Sequence, residues 1–449
     1  MFTTNLIRRA GASPKIAVHH WQTRSATTAS SASRYRVLVV GGGSGGLSAA
    51  QQIYNRFKAA GKTLGVGEIA IVDATKDHYY QPGWTLVGSG LAPKSDFERP
   101  LAPLVPSHIS LIPENVKTFS PNTSSVTTTS GRDISYDTLV VATGLQINYD
   151  AIKGLPEALA DPGSGVSTIY SYQTCDRVWS HIENLKSGSA VFTQPFGVIK
   201  CAGAPQKIMW MAWDRFRRTG RGDIKVDFYT GMPTMFSVKK YSDALDALRR
   251  ERGVGGHFSH DLVSIDIANR KATFKRGDSS TIDVDYSLLH VTPRMGPLDA
   301  LKGSPIVDAA GWVAVNSSTL QHVKPEFSNI FALGDCSSLP TSKTAAAIIA
   351  QAPVLTENLF SLIDTGSVAV GEYDRYTSCP LLTGYGELML AEFKYGLEPK
   401  ESFSGIFDQS KSNRLFYHFK KDLFPHAYWN YMVEGKWFGS RGVLRPSFP

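Results

Sequence analysis

The 449-residue sequence predicts an α/β fold with two Rossmann-like, dinucleotide-binding units and a basic, aromatic C-terminal segment. Three observations carry this reading. A strand–glycine loop–helix pattern opens near residue 34. A strand running into Ala142-Thr143-Gly144 closes the first unit, and a late Gly334-Asp335 returns the chain to it. The length suits two or three domains with a sizeable core. Charged residues at 19% and hydrophobic residues at 42% argue against a disordered or fibrous chain. Four cysteines with no C-x-x-C pair give no sign of a disulfide-rich scaffold, a zinc ribbon or an iron–sulfur run.

Residues 1–33 carry Arg8, Arg9, Lys15 and Arg24, ten Ser or Thr, and no carboxylate; the first acidic residue is Glu68. Arg-rich, Ser-rich, acid-free and lacking an apolar h-region is the composition of a mitochondrial transit segment. The alternative is a tail without an address. Either way the fold is expected to start near residue 34.

The β-branched run 36–40 reads as a strand, and residues 47–53 read as a helix. Between them Gly41, Gly43 and Gly46 stand at the three positions of G-x-G-x-x-G. They allow a tight turn, backbone approach to a pyrophosphate, and close packing of helix on strand. A second strand, 69–72, ends in Asp73, whose carboxylate suits ribose hydroxyls and discourages a 2′-phosphate. The strand 137–141 runs into Thr143 and Gly144, where the chain leaves the first unit. The later run 329–335 has the pattern of a second FAD fingerprint, with Asp335 for the ribityl chain. Thr341 is the expected N-cap of a following helix, whose N-terminus would stabilise negative charge on reduced flavin. These pieces select FAD and the glutathione-reductase-like type of flavoprotein. The expected division is transit segment 1–33, FAD domain 34–150 and 300–370, an inserted Rossmann-like domain 151–299, and a C-terminal region 371–449.

The inserted unit lacks a fingerprint. After the expected strand 189–193, residues 194–207 (Gln-Pro-Phe-Gly-Val-Ile-Lys-Cys-Ala-Gly-Ala-Pro-Gln-Lys) place Val198 and Ile199 where a pyrophosphate needs bare backbone. No nicotinamide site is legible, so the electron donor is expected to be smaller than NADH. The loop instead offers Cys201, just before a helix expected to begin near Ala204-Pro205, with Lys200 and Lys207 nearby. A helix N-terminus and ammonium groups lower a thiol pKa and free the thiolate as nucleophile. The bland alternative is a small buried hydrophobe. Cys379 lies in Thr377-Ser378-Cys379-Pro380, read as a fixed loop that presents the thiol; sequence alone leaves its role open. Cys175 and Cys336 read as packed thiols.

At this point the chain resembles the sulfide:quinone oxidoreductase family. The resemblance covers essentially everything after the transit segment, and residues 41–46, 78–88, 200–209, 334–347 and 376–385 carry it. It implies two redox cysteines, Cys201 and Cys379. Thiolate nucleophilicity matters in each sulfur-transfer step, so Lys200 and Lys207 are expected as electrostatic helpers, the alternative being that they are merely solvated. It implies FAD contacts at Ser44, Gly45, Asp73, Gln81, Val116, Asp335 and Lys343, beside the fingerprint glycines. Hydrogen sulfide would attack a disulfide or sulfur-bridged form of the pair. The implied persulfide is on Cys379 and the flavin-facing thiolate at Cys201, although the residues do not settle which cysteine takes which role. Glutathione or sulfite would accept the sulfur, and ubiquinone the electrons. The rivals are a type II NADH:quinone dehydrogenase, a flavin-binding scaffold and, on charge alone, a nucleic-acid binder; no motif supports the last, and none is expected as a partner.

A quinone substrate requires membrane contact, at the mitochondrial inner membrane. No run of 18 apolar residues is present, so no spanning helix is expected. Residues 415–449 hold ten aromatics interleaved with Lys420, Lys421, Lys436, Arg441 and Arg445, the composition of a monotopic anchor. The alternative is a helix pair packed on the FAD domain with its aromatics inward. Much of the net charge of +8 sits in the transit segment and this tail, which leaves the body nearly neutral.

Overall fold

The computed structural model describes residues 33–449 apart from 63, 369, 370, 447 and 449. The expected transit segment lies outside the described residues except for Ser33, which already belongs to the first strand.

The first unit runs through β1 (Ser33–Val40), α1 (Ser44–Ala59), β2 (Ile69–Val72), β3 (Ile109–Ile112), β4 (Val116–Ser120), β5 (Ser125–Thr128) and β6 (Asp133–Val141). The chain then crosses to β7 (Val166–Ser167), α2 (Cys175–Asn184), β8 (Ser189–Gln194), α3 (Ala204–Arg218), β9 (Lys225–Thr230), β10 (Gly255–Phe258) and β11 (Leu288–His290). It returns with β12 (Ile330–Ala332) and α4 (Ala345–Thr365). It ends with β13 (Thr377–Gly384), β14 (Glu387–Lys394) and β15 (Glu398–Pro399), followed by a helical segment over 414–432.

The first sheet has the order β3-β2-β1-β6-β5-β4. β1 pairs in parallel with β2 and β6, so Val37, Leu38 and Val39 are wholly buried; a central parallel strand reads as an unbroken β-branched run for this reason. The long β6 pairs with the hairpin strand β5 at its start and with β12 at its end. Residues nearly two hundred positions apart are thereby sewn into one sheet. The second sheet, β7-β11-β8-β9-β10, is entirely parallel.

The antiparallel sheet β13-β14-β15 joins the two cores. Strand alternation sends Cys379, Leu381, Met389 and Ala391 into the core of the second unit. It sends Leu382, Leu388 and Leu390 into that of the first. Cys379 is therefore in a strand, not in the expected loop. β13 is an edge strand, and an edge accommodates Pro380, whose ring removes a ladder donor.

The tail also departs from its composition. Phe416, Tyr417, Tyr428, Trp429 and Lys420 are buried, and most other tail aromatics are half-buried. What the tail exposes is aliphatic: Leu415, Leu423, Val443 and Leu444, with Tyr431 at the margin. Helix α4 is long and apolar enough, by length and composition, to cross a bilayer, yet most of it is buried.

Candidate active site: a dithiol beside a dinucleotide cradle

Helix α1 begins at Ser44 directly behind β1, and Gly43 is its N-cap. A Cβ on Gly46 would stand 1.8 Å from the Gly41 carbonyl oxygen, so this contact between helix and loop is open only to glycine. Gly43 has nothing within 4 Å of its Cβ position, and its backbone faces open space beside the helix N-terminus. That is a cradle a phosphate can enter and a side chain would fill. Asp73 accepts from Gly42 N (2.5 Å) and from Thr75 N (2.8 Å), which ties the end of β2 to the glycine loop.

A hydrogen-bond chain fixes the same loop from the tail. His78 Nδ1–H donates to Gly42 O (3.0 Å), because a carbonyl only accepts. Nε2 then accepts from the Tyr428 hydroxyl (2.6 Å), and Tyr428 accepts from Ser44 Oγ (2.7 Å). Ser44 is left to offer a ligand its backbone N–H.

These groups line a cavity of about 740 Å³. Gly41, Gly43, Ser44, Gly45, Asp73 and Gln81 lie on it, as do Thr143, Gly144, Asp335, Lys343, Cys201 and Lys207. Gly46, Val116 and Cys379 do not. Asp335 Oδ1 and Thr143 Oγ1 are buried without a partner among the described residues. Burial pushes the Asp335 carboxyl upward, against the opposing Lys200 and Lys343 ammoniums. Orphaned buried acceptors beside a phosphate cradle fit a ligand bearing both hydroxyls and phosphates. The expected cap at Thr341 is displaced: the cap of α4 is Thr344, whose Oγ1 accepts from Ala347 N (3.0 Å). The helix cannot begin earlier because the Lys343 carbonyl accepts from Cys201 N (2.8 Å) and Lys343 bridges Lys200 in a short ladder.

That ladder shapes the loop after β8. Where a nucleotide-binding unit would keep a glycine turn, residues 200–201 are stapled to residue 343. Cys201 takes a left-handed φ of +53° and turns its thiol toward the cavity, three residues before α3 begins at Ala204. Gly203 supplies the close approach: a Cβ there would meet Leu381 Cδ2 at 2.2 Å, with the Cys379 Cβ 3.7 Å away. The result is Cys201 Sγ 4.0 Å from Cys379 Sγ, both thiols free, with Lys207 Nζ 3.2 Å from Cys201 Sγ.

The Cys379 thiol, donating toward Cys201, does most to hold Cys201 well below the usual thiol range. Burial opposes this, and the Lys207 and Lys420 ammoniums add to the lowering. The same sharing, together with burial, drives Cys379 well above that range. One nucleophilic thiolate and one protonated partner is the charge pattern of a working dithiol. The other two cysteines are inert by environment. Burial pushes Cys175 up to about 12, and Cys336 is fully buried with its thiol directed at the Val141 and Leu333 carbonyls.

Lys420 is the group that composition misplaced. The tail's composition places it among lipid-facing cations, yet it is 2% exposed, lines the cavity and donates to Pro82 O (2.6 Å). The available signal was helical spacing: Lys420 falls one turn after buried Phe416 and two turns before buried Ala427 and Tyr428, a lone charge on the apolar face.

A family model described as pyridine nucleotide-disulphide oxidoreductase matches residues 35–185. The chain is 51% identical over 446 residues to the mitochondrial sulfide:quinone oxidoreductase of Schizosaccharomyces pombe, with 96% of each chain covered. It is 43% identical over 417 residues to that of Mus musculus, covering 92% of this chain and 89% of the relative. The solved sulfide:quinone oxidoreductase of the hyperthermophilic bacterium Aquifex aeolicus superposes with a TM-score of 0.74 at 19% identity. It covers 90% of this chain and 92% of that one, a likeness of fold. A dithiol closed over a dinucleotide cradle, together with relatives of this identity along nearly the whole chain, places the protein in the sulfide:quinone oxidoreductase family.

Proposed function

We propose that this protein is a mitochondrial, FAD-dependent sulfide:quinone oxidoreductase. Membership in its family carries a flavin cofactor; the choice of FAD rests on the dinucleotide-sized cavity, the phosphate cradle at Gly43 and the orphaned Asp335 and Thr143 acceptors. The observation that carries the reading is the Cys201–Cys379 pair, 4.0 Å apart, with Cys201 on that cavity and Cys379 buried behind it. The linear division into FAD domain 34–150 and 300–370, inserted domain 151–299 and C-terminal region 371–449 belongs to the same proposal.

In this reading hydrosulfide attacks Cys379 Sγ of the oxidised pair. The Cys201–Cys379 bond breaks, an S–S bond forms to the incoming sulfur, and Cys201 leaves as a thiolate beside Lys207. An external nucleophile, glutathione or sulfite, then takes the outer sulfur and leaves Cys379 as a thiol. Re-forming the pair from thiolate and thiol releases two electrons and one proton. A flavin held in the cradle would supply the acceptor for those electrons, with ubiquinone as their destination. Lys207 Nζ, 3.2 Å from Cys201 Sγ, holds the thiolate between turnovers. The exposed aliphatic residues Leu415, Leu423, Val443 and Leu444, flanked by Lys421, Arg441 and Arg445, support peripheral contact of the tail with the inner membrane.

The test is anaerobic mixing of purified holoenzyme with sulfide or with NADH while the flavin band at about 450 nm is followed. Sulfide is expected to bleach the flavin and NADH not; the reverse result removes the proposal. Cys201→Ser and Cys379→Ser should each abolish bleaching by sulfide while flavin stays bound.

A further inference from the structure

The charges around the dithiol do not balance. Lys200 and Lys343 share the field of Asp335. Asp73 is held by backbone donors, and Glu392 by Ser402 and Gln409. That leaves two ammoniums, Lys207 and Lys420, at 3% and 2% exposure, and neither has a carboxylate partner among the described residues. Lys207 faces the Cys201 sulfur. Lys420 has one neutral acceptor, the Pro82 carbonyl, so two of its three N–H groups have no partner among the described residues. Both lysines line the cavity together with Cys201. An ammonium buried in this way costs several kcal/mol unless an anion joins it.

With the pair reduced, two cations and one thiolate leave room for one small monoanion; with the pair oxidised, both ammoniums are open. We propose that Lys420 and Lys207 form a two-ammonium seat beside Cys201, in which Lys420 binds the incoming hydrosulfide anion and Lys207 receives the Cys201 thiolate that its attack releases. The proposal rests on the sulfide-oxidising reading above and adds to it the group that captures the substrate. Burial and the neighbouring Lys207 draw Lys420 down to about 7, while the two sulfurs pull it back up; an anion in the seat would act as the sulfurs do. Phe419, Leu423 and Phe424 of the same helical segment line the same cavity and add apolar surface to it.

Alkylation of Cys201 measures the seat without turnover. The holoenzyme, with its cysteines reduced, is treated at slightly acidic pH with iodoacetate or with neutral iodoacetamide, and modification at Cys201 is read by mass spectrometry. In Lys420→Met the ratio of iodoacetate to iodoacetamide rates should fall roughly tenfold, the scale expected for loss of one nearby charge in a partly screened site. Lys420→Arg should keep most of the ratio. In the same Lys420→Met protein the KM for sulfide should rise by a similar factor while kcat changes much less, because uniform binding is lost rather than chemistry. Flavin content and Tm report folding, and Lys420→Gln replaces the Met variant where that one does not accumulate. An unchanged ratio overturns the seat. A reduced ratio with an unchanged sulfide KM overturns its assignment to hydrosulfide. If sulfide does not bleach the wild-type flavin at all, the functional reading fails, and that failure is read separately from the alkylation ratio.

Discussion

The loops after β1 and after β8 occupy equivalent places in two strand–loop–helix units, and they have opposite surfaces. The first, residues 41–43, leaves backbone bare beside the N-terminus of α1. The second, residues 195–203, carries Val198 and Ile199 where a fingerprint would have glycines, is tied by a ladder to residue 343, and delivers a cysteine to the N-terminus of α3. A helix N-terminus favours negative charge in either case. What differs is whether the anion is a ligand's phosphate or the protein's own thiolate. In the proposed reading the same topology serves as a nucleotide cradle in one unit and as a mount for sulfur chemistry in the other.

Glycine substitutions break this comparison most sharply. Gly46→Ala drives a Cβ into the Gly41 carbonyl, and backbone cannot yield there as a side-chain tip can. Loss of bound flavin and destabilisation of about 4 kcal/mol or more are expected, measured by flavin release and urea unfolding. Gly197→Ala in the second loop has a φ of +103° but open space around its Cβ. It should cost only the backbone strain of about 1 kcal/mol and leave flavin content unchanged. Equal flavin loss in both variants would mean that the second loop also serves the nucleotide.

Gly203→Ala is the intermediate case. Its Cβ meets the end of the Leu381 side chain, a tip that can turn aside, and only the crowding that the tip does not absorb falls on the strand that carries Cys379. Flavin should remain, whereas the rate of bleaching by sulfide should fall severalfold, since small misplacements of reacting groups slow a reaction. Normal bleaching would show that the Leu381 tip absorbs the crowding and leaves the 4.0 Å spacing intact.

Much of this contrast was legible in the chain itself. The fingerprint, the end of β2 at Asp73 and the start of α3 at Ala204-Pro205 are set by residues within one turn or one loop, so local patterns reach them. The meeting of Cys201 with Cys379 spans 178 residues and depends on how β13 packs, for which no local pattern exists. Pro380 suggested a loop because sequence does not say which strand will be an edge. The expected contact Val116 begins β4 and does not line the cavity. Lys420 was hidden by averaging: a tail rich in Lys and aromatics looks the same whichever side of the helix the lysine takes.

A pH profile isolates that lysine. The folded chain releases the Lys420 proton near pH 7, whereas the unfolded chain keeps it until about 10.5. Between those values the unfolded state binds more protons, so stability rises with pH across the window, with a slope of at most about 1.4 kcal/mol per pH unit from this group. Cys201 acts in the same direction, because its folded pKa lies below its unfolded one and the stability it adds is lost as pH falls. Lys420→Met removes the first contribution and weakens the second, since the ammonium helps hold the thiolate. Urea unfolding of the holoenzyme between pH 7 and 10 should therefore give a flatter profile for the variant, with its gain over wild type largest at pH 7 and shrinking as pH rises. Parallel profiles would mean that Lys420 keeps its proton throughout, compensated by a group other than the two sulfurs. The dithiol loop would then differ from the glycine loop in its side chains alone, and not in the charge buried beneath it.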